Sequence, residues 1–184
     1  MQNNSATRLT YDDYLRFPND GLRHEIIEGE HYVTPSPVTR HQRILLTLSY
    51  LLQQHLEIHR TGEIFFAPFD VLLSEFNVFV PDLIYLSRER AHLLTAKNLQ
   101  GAPDLAVEIL SPGTRSRDLR LKRDVYQKTG VREYWIIDPD RNVVDIYRWD
   151  PPVAVEKPLR LVVGQTLTTP LLPDLIVPLD KLLA

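Results

Sequence analysis

An α/β (α+β) layered domain is what this 184-residue chain predicts, and three observations carry that expectation. One segment has a long helical stripe of leucines. Several short apolar runs have strand length. A second helical segment interrupts those runs late in the chain, so helices and strands must share a layered core.

From the N-terminus, Thr10 followed by Asp13 predicts a short helix that runs to about Phe17 and stops at Pro18. Residues Arg23 to Val33, with Gly29 near the middle of HEIIEGEHYV, predict a hairpin. Val38 to His59 is the long helix: Ile44, Leu45, Leu48, Leu51, Leu52 and Leu56 recur at steps of three and four. Strands follow at Glu63–Phe66, Asp70–Leu73, Asp82–Leu86 and Leu105–Leu110, with a short helix around Arg88–Leu94 between the last two. A second helix is expected from about Ser116 to Lys128, capped by Gly130. Strands Tyr134–Ile137 and Val143–Arg148 flank the turn DPDRN, and Leu159–Val163 adds a strand in the proline-rich tail. No repeat or shift in composition marks a boundary, so residues 1–184 are expected to form a single domain.

Composition excludes several classes of function. The absence of cysteine removes disulfides, thiolate catalysis and cysteine-based zinc sites, and fits a reducing cytoplasmic setting. The polar start MQNNSATRLT has no apolar signal region, and no apolar run has the length of a membrane span. A net charge of −3 argues against holding nucleic acid by global electrostatics, though a local basic patch could still do so. No serine triad, phosphate loop or dinucleotide fingerprint is present.

Three acids stand among apolar neighbours at strand positions: Glu25 in HEIIEG, Asp82 in VPDLIYL and Glu108 in AVEIL. Alternation puts Leu105, Val107 and Ile109 on one face of their strand and Ala106, Glu108 and Leu110 on the other. Both faces are therefore mostly apolar, as in a strand covered on each side. A carboxylate there must be protonated, paired or bound to a cation. A buried ion pair would account for Glu108, and a strand-opening turn for Pro81-Asp82. Two such acids on neighbouring strands would instead make an oxygen-rich site for Mg²⁺ or Mn²⁺. On the second helix, Lys122 shares the face of Leu119, Val125 and Tyr126, while Arg117, Arg120 and Arg123 project outward. Lys122 either snorkels to water beside Asp118 or aims its ammonium at the acids.

The order Pro81-Asp82, strand Glu108, helical Lys122 resembles the PD-(D/E)XK nuclease superfamily. That superfamily usually keeps its lysine two residues after the glutamate, where this chain has Leu110. The whole chain is similar to the Uma family, whose members are described as putative restriction endonucleases and take the lysine from the following helix. The segments that carry the likeness are HEIIEGE, PSPVTRHQRI, VPDLIYL, GAPDLAVEILSPGTRSRD, KRDVYQKTGVREYWIIDP and GQTLTTPLLPDLIVPLD.

The resemblance implies a restriction-endonuclease-like core, a mixed β-sheet flanked by helices, and a Mg²⁺- or Mn²⁺-dependent DNA endonuclease. It implies Asp82 and Glu108 as metal ligands, Lys122 as the catalytic lysine and Glu25 as an additional acid, with Glu28 and Glu30 close enough to compete for that role. DNA is the implied partner, and cutting both strands with one site per chain would suit a two-fold homodimer. A lysine ammonium well beyond ~6 Å from both Asp82 and Glu108 would end this reading.

Two rival functions stand beside it: a nuclease-fold module that binds nucleic acid or protein without cutting, and a metal-free hydrolase using paired acids. Other signals have simpler accounts. His55 and His59, four apart, fit a solvated helix end; His41 fits either capping or a contact near the site. Arg115, Arg117, Arg120, Lys122 and Arg123 form a basic run suited to a wet helix face or to phosphates. Tyr134, Trp135, Tyr147 and Trp149 fit core or dimer packing better than base stacking.

Overall fold

The computed structural model describes residues 8–149 and 157–184; the polar start of the chain falls largely outside them. Helix α1 spans Tyr11–Tyr14, and β1 (Arg23–Ile27) and β2 (Glu30–Thr34) form the expected hairpin about Gly29. Helix α2 covers Thr39–His59, followed by β3 (Gly62–Phe66), β4 (Val71–Ser74), β5 (Asn77–Phe79), β6 (Leu83–Ser87) and a 3₁₀ turn at Arg88–Leu93. Strands β7 (Leu99–Gln100) and β8 (Leu105–Ile109) lead to a π-helix at Arg117–Lys122, which continues as α3 (Arg123–Thr129). Strands β9 (Glu133–Asp138), β10 (Val143–Arg148), β11 (Leu159–Val162), β12 (Thr166–Thr169) and β13 (Leu172–Pro178) precede a last turn, α4 (Leu179–Leu182).

The strands make a six-stranded sheet in the order β11-β10-β9-β8-β6-β3, a five-stranded sheet in the order β2-β1-β5-β4-β7, and the β12-β13 ribbon. The six-stranded sheet is mixed: β8 and β9 run parallel, joined through the π-helix and α3, and its other pairs are antiparallel. Between β5 and β6, residues Val80-Pro81-Asp82 carry the chain from one sheet to the other. The acid site lies at that crossing.

Strand β8 is covered on both faces, as its alternation predicts. Leu105, Val107 and Ile109 pack with Ile44, Leu48 and Leu52 of α2, whereas Ala106 and Leu110 pack with Val125 and Tyr126 of α3. Strand β9 divides the same way, with Trp135 on the α2 side and Tyr134 on the α3 side. Tyr134, Tyr147 and Trp149 stack together, so these aromatics serve packing. Gly130 ends α3 in the left-handed region (φ 92°), which lets its N–H and that of Val131 reach the Tyr126 carbonyl.

Three expectations need correction. The second helix is not a continuous α-helix: its first part is π-helical, with i→i+5 bonding. Residues five apart lie ~140° apart around an α-helix, but about one turn apart in a π-helix. Arg117 therefore shares the inward face with Asp118 and Lys122; it is buried, not outward, and donates to Thr34 Oγ1 at 3.1 Å. His55 is also buried, stacked on His59 at 4.1 Å, and burial lowers its pKa. Strands β5, β7, β12 and β13 were not expected. Among the described residues, no helix is long and apolar enough to cross a membrane.

Candidate active site

Alternation along β1 sends Arg23, Glu25 and Ile27 to one face, and β8 sends Glu108 toward α3. The crossing segment adds Asp82, and the last residue of the π-helix adds Lys122. Glu25, Asp82, Glu108 and Lys122 are all buried, and together with Arg23 they line one cavity of about 220 Å³. Glu28 and Glu30 are exposed around the hairpin turn, so Glu25 is the acid of this segment that reaches the cavity.

Lys122 sits among the acids. Its Nζ lies 2.7 Å from Glu25 Oε1 and 2.9 Å from Glu108 Oε1, with Asp118 Oδ1 at 3.6 Å. The ammonium thus falls well inside the ~6 Å reach that the sequence reading requires of it. Glu25 Oε1 also accepts the Val80 N–H at 2.8 Å, and Glu108 Oε1 accepts the Tyr126 hydroxyl at 3.1 Å. Asp118 Oδ1, although buried, accepts no hydrogen bond.

Asp82 has a separate set of partners. Its Oδ1 accepts Arg23 Nη1 at 2.8 Å; its Oδ2 accepts the Ile109 N–H at 2.8 Å and pairs with His41 Nε2 at 2.9 Å. The Ile109 bond ties the start of β6 to β8 one residue beyond Glu108. That is how the sheet fixes the two acids relative to each other.

The surroundings drive the carboxyls apart. Burial pushes Glu108 well above the ordinary range, against the pull of Lys122, and burial also raises Asp118. Burial would raise Asp82 as well, but His41 and Arg23 overcome it and hold that carboxyl below its usual value. Burial alone would favour neutral Lys122; the charges of Glu108, Glu25 and Asp118 reverse that and hold the ammonium charged.

Four buried carboxylates thus touch two permanent cations, Lys122 and Arg23. Fully ionised, the acids outnumber these two cations, and the charges of neighbouring acids add to burial in raising Glu108 and Asp118. Hard oxygen donors and an excess of buried carboxylates suit a divalent ion of the Mg²⁺ or Mn²⁺ type. Among the described residues, no three His, Asp or Glu side chains stand as a metal cage, and Lys122 and Arg23 pair with the carboxylates.

Sequence reasoning overlooked Arg23. Its signal was present: it lies two residues before Glu25 in the same strand, hence on the same face. The remaining basic run disperses: Arg115 pairs with Asp138 at 2.6 Å, Arg123 with Asp124, and Arg120 is exposed.

Comparison with known proteins supports the same fold and family. The family model Uma2, described as "Putative restriction endonuclease", matches residues 11–180. A solved structure described as "a putative nuclease belonging to DUF820", from Anabaena variabilis, superposes with a TM-score of 0.80 at 22% identity. The match covers 95% of this chain and 97% of that one, and at such identity it speaks for the fold. No curated protein matches the chain significantly.

Proposed function

The chain belongs to the Uma2 family, and on that premise we propose that it is a Mg²⁺- or Mn²⁺-dependent DNA endonuclease that hydrolyses phosphodiester bonds. The observation that carries this reading is the lysine of the π-helix inserted between Glu25 and Glu108, beside Asp82, in one cavity.

Asp82 and Glu108 are the residues that would hold the ion. When bound, it supplies a Lewis acid for the phosphoryl oxygens and lowers the pKa of a coordinated water. The chain's own residues do the rest. An ammonium has three protons, and Glu25 and Glu108 take two of those of Lys122. The third is left for an attacking water or a non-bridging oxygen, where positive charge favours the transition state. Glu25, fixed by the Val80 N–H, sets the direction of that lysine. His41 orients Asp82, and Arg23, part exposed at the cavity wall, can meet a phosphate.

The test is cleavage of plasmid and single-stranded DNA with Mg²⁺, Mn²⁺ or EDTA, alongside Glu108→Gln and Lys122→Ala. Metal-dependent cutting lost in both variants is the expected result. Activity that survives EDTA would point to metal-free acid–base hydrolysis, and DNA binding without cutting to an inactive module. Two copies of the chain, each cutting one strand, would make a two-fold dimer the working form on duplex DNA.

A further inference from the structure

A second groove, of about 470 Å³, opens from the acid cavity and shares with it the walls formed by Arg23, His41 and Asp82. It is also lined by Leu22, Phe66 and Pro68, with Asn19 and Gln42 supplying amide groups. One groove thus joins charged groups to an apolar surface. These are the chemical groups that a phosphate and its base would each need.

Phe66 is the unusual member. Among the described residues it alone of the phenylalanines is exposed, at 58%. It closes β3, the edge strand of the six-stranded sheet, opposite Leu83, the residue after Asp82. The next residue, Ala67, donates its N–H to the Asp82 carbonyl at 3.1 Å. The ring is thereby anchored through backbone to Asp82. Leu22, one residue before Arg23, is exposed at 45% and lines the same groove.

Resting on the nuclease reading, we propose that this groove is a nucleobase subsite: the base next to the scissile phosphate stacks on Phe66, while Arg23 takes the intervening phosphate. A base can use that ring only if it is out of its duplex stack, so the substrate at this position is single-stranded or locally unpaired. Stacking on an aromatic ring tolerates any base; the amides of Asn19 and Gln42 supply whatever base preference there is.

The test is binding of a single-stranded oligodeoxynucleotide containing 2-aminopurine, with Ca²⁺ in place of Mg²⁺ to prevent cutting. Stacking on Phe66 should quench the 2-aminopurine, and Phe66→Ala should remove the quenching and weaken binding about 5- to 100-fold. Phe66→Trp should restore both, and the thermal shift that Mn²⁺ gives the protein should be the same in all three. Unchanged affinity and quenching in Phe66→Ala would overturn the subsite and leave the nuclease reading standing. So would binding of intact duplex as tight as the single strand, or loss of a dimer in Phe66→Ala without a fluorescence change, which would make the ring a contact between chains. A wild-type protein that neither binds nor cuts DNA would overturn the nuclease reading, and the subsite with it.

Discussion

Arg23 and Asp82, 59 residues apart, are joined at 2.8 Å, and this contact occupies Asp82 Oδ1 while Oδ2 is taken by His41 and the Ile109 N–H. Both oxygens of the acid proposed to bind metal therefore have protein partners. Arg23 is the partner that can leave, because its side chain is 20% exposed whereas that of His41 is 4% exposed.

Arg23→Gln removes a competing cation beside Asp82. Mn²⁺ affinity, measured by isothermal titration calorimetry, should rise several-fold, and DNA affinity should fall with a shallower salt dependence. Weaker metal binding in the variant would mean that Arg23 supports the ion site instead of competing for it.

Lys122→Met leaves Glu25, Glu108 and Asp118 facing one another without their cation. Breaking a buried pair in this way should cost about 3–5 kcal/mol in urea unfolding. Adding Glu108→Gln removes one of the stranded charges, so the double variant should be less destabilised than the sum of the two single changes. Simple additivity would show that the lysine and the glutamate do not interact.

Stability without metal should depend on pH with a predictable sign. Glu108 and Asp118 titrate higher in the folded state than in the unfolded one, so folding takes up protons on their account. Their contribution is present at acid pH and is lost as pH rises from the ordinary carboxylate range through the raised values. Asp82 acts oppositely, contributing above the ordinary carboxylate value and failing only in strong acid. In EDTA, unfolding free energy should therefore fall as pH rises above roughly 5. Stabilisation by Mn²⁺ should grow over the same window. A Mn²⁺ effect independent of pH would argue that neither raised carboxyl lies near the ion.

Leu48 is fully buried between α2 and the six-stranded sheet. Leu48→Ala should cost about 2–5 kcal/mol in unfolding experiments. Its Mn²⁺-induced thermal shift should stay that of the wild type, since the change lies in the packing and not at the acids.

Much of this arrangement could be read from residue order because it rests on short-range periodicity. The leucine stripe of α2 and the two apolar faces of β8 are local patterns, and each is realised as such. Glu108 is conspicuous for the same reason: it breaks a local pattern. What was not legible depends on distant pairing or on a change of helical pitch. Strand β5 is three residues long and gains its identity from β1 and β4. The β12-β13 ribbon includes prolines and a bulge that hide its alternation. Arg117 was assigned outward on an α-helical wheel, and the π-helix turned it inward. Arg23 needed Asp82, on the segment that crosses between the sheets, to give it meaning.

The π-helix between Arg117 and Lys122 has a wider consequence. A wider turn at the start of a helix acts as a phase adjuster: it sets the rotation at which the following residue meets the sheet. Which residue faces Glu25 and Glu108 therefore follows from how many residues the turn contains as well as from what they are. Wound as an ordinary α-helix from the same residues, the segment would put Lys122 ~140° from Arg117, where the π-helix puts the two about one turn apart. The lysine would then leave the acids even though no side chain of the cluster had been substituted. The chemistry of this cavity thus depends on the pitch of one helical turn as well as on the side chains it carries.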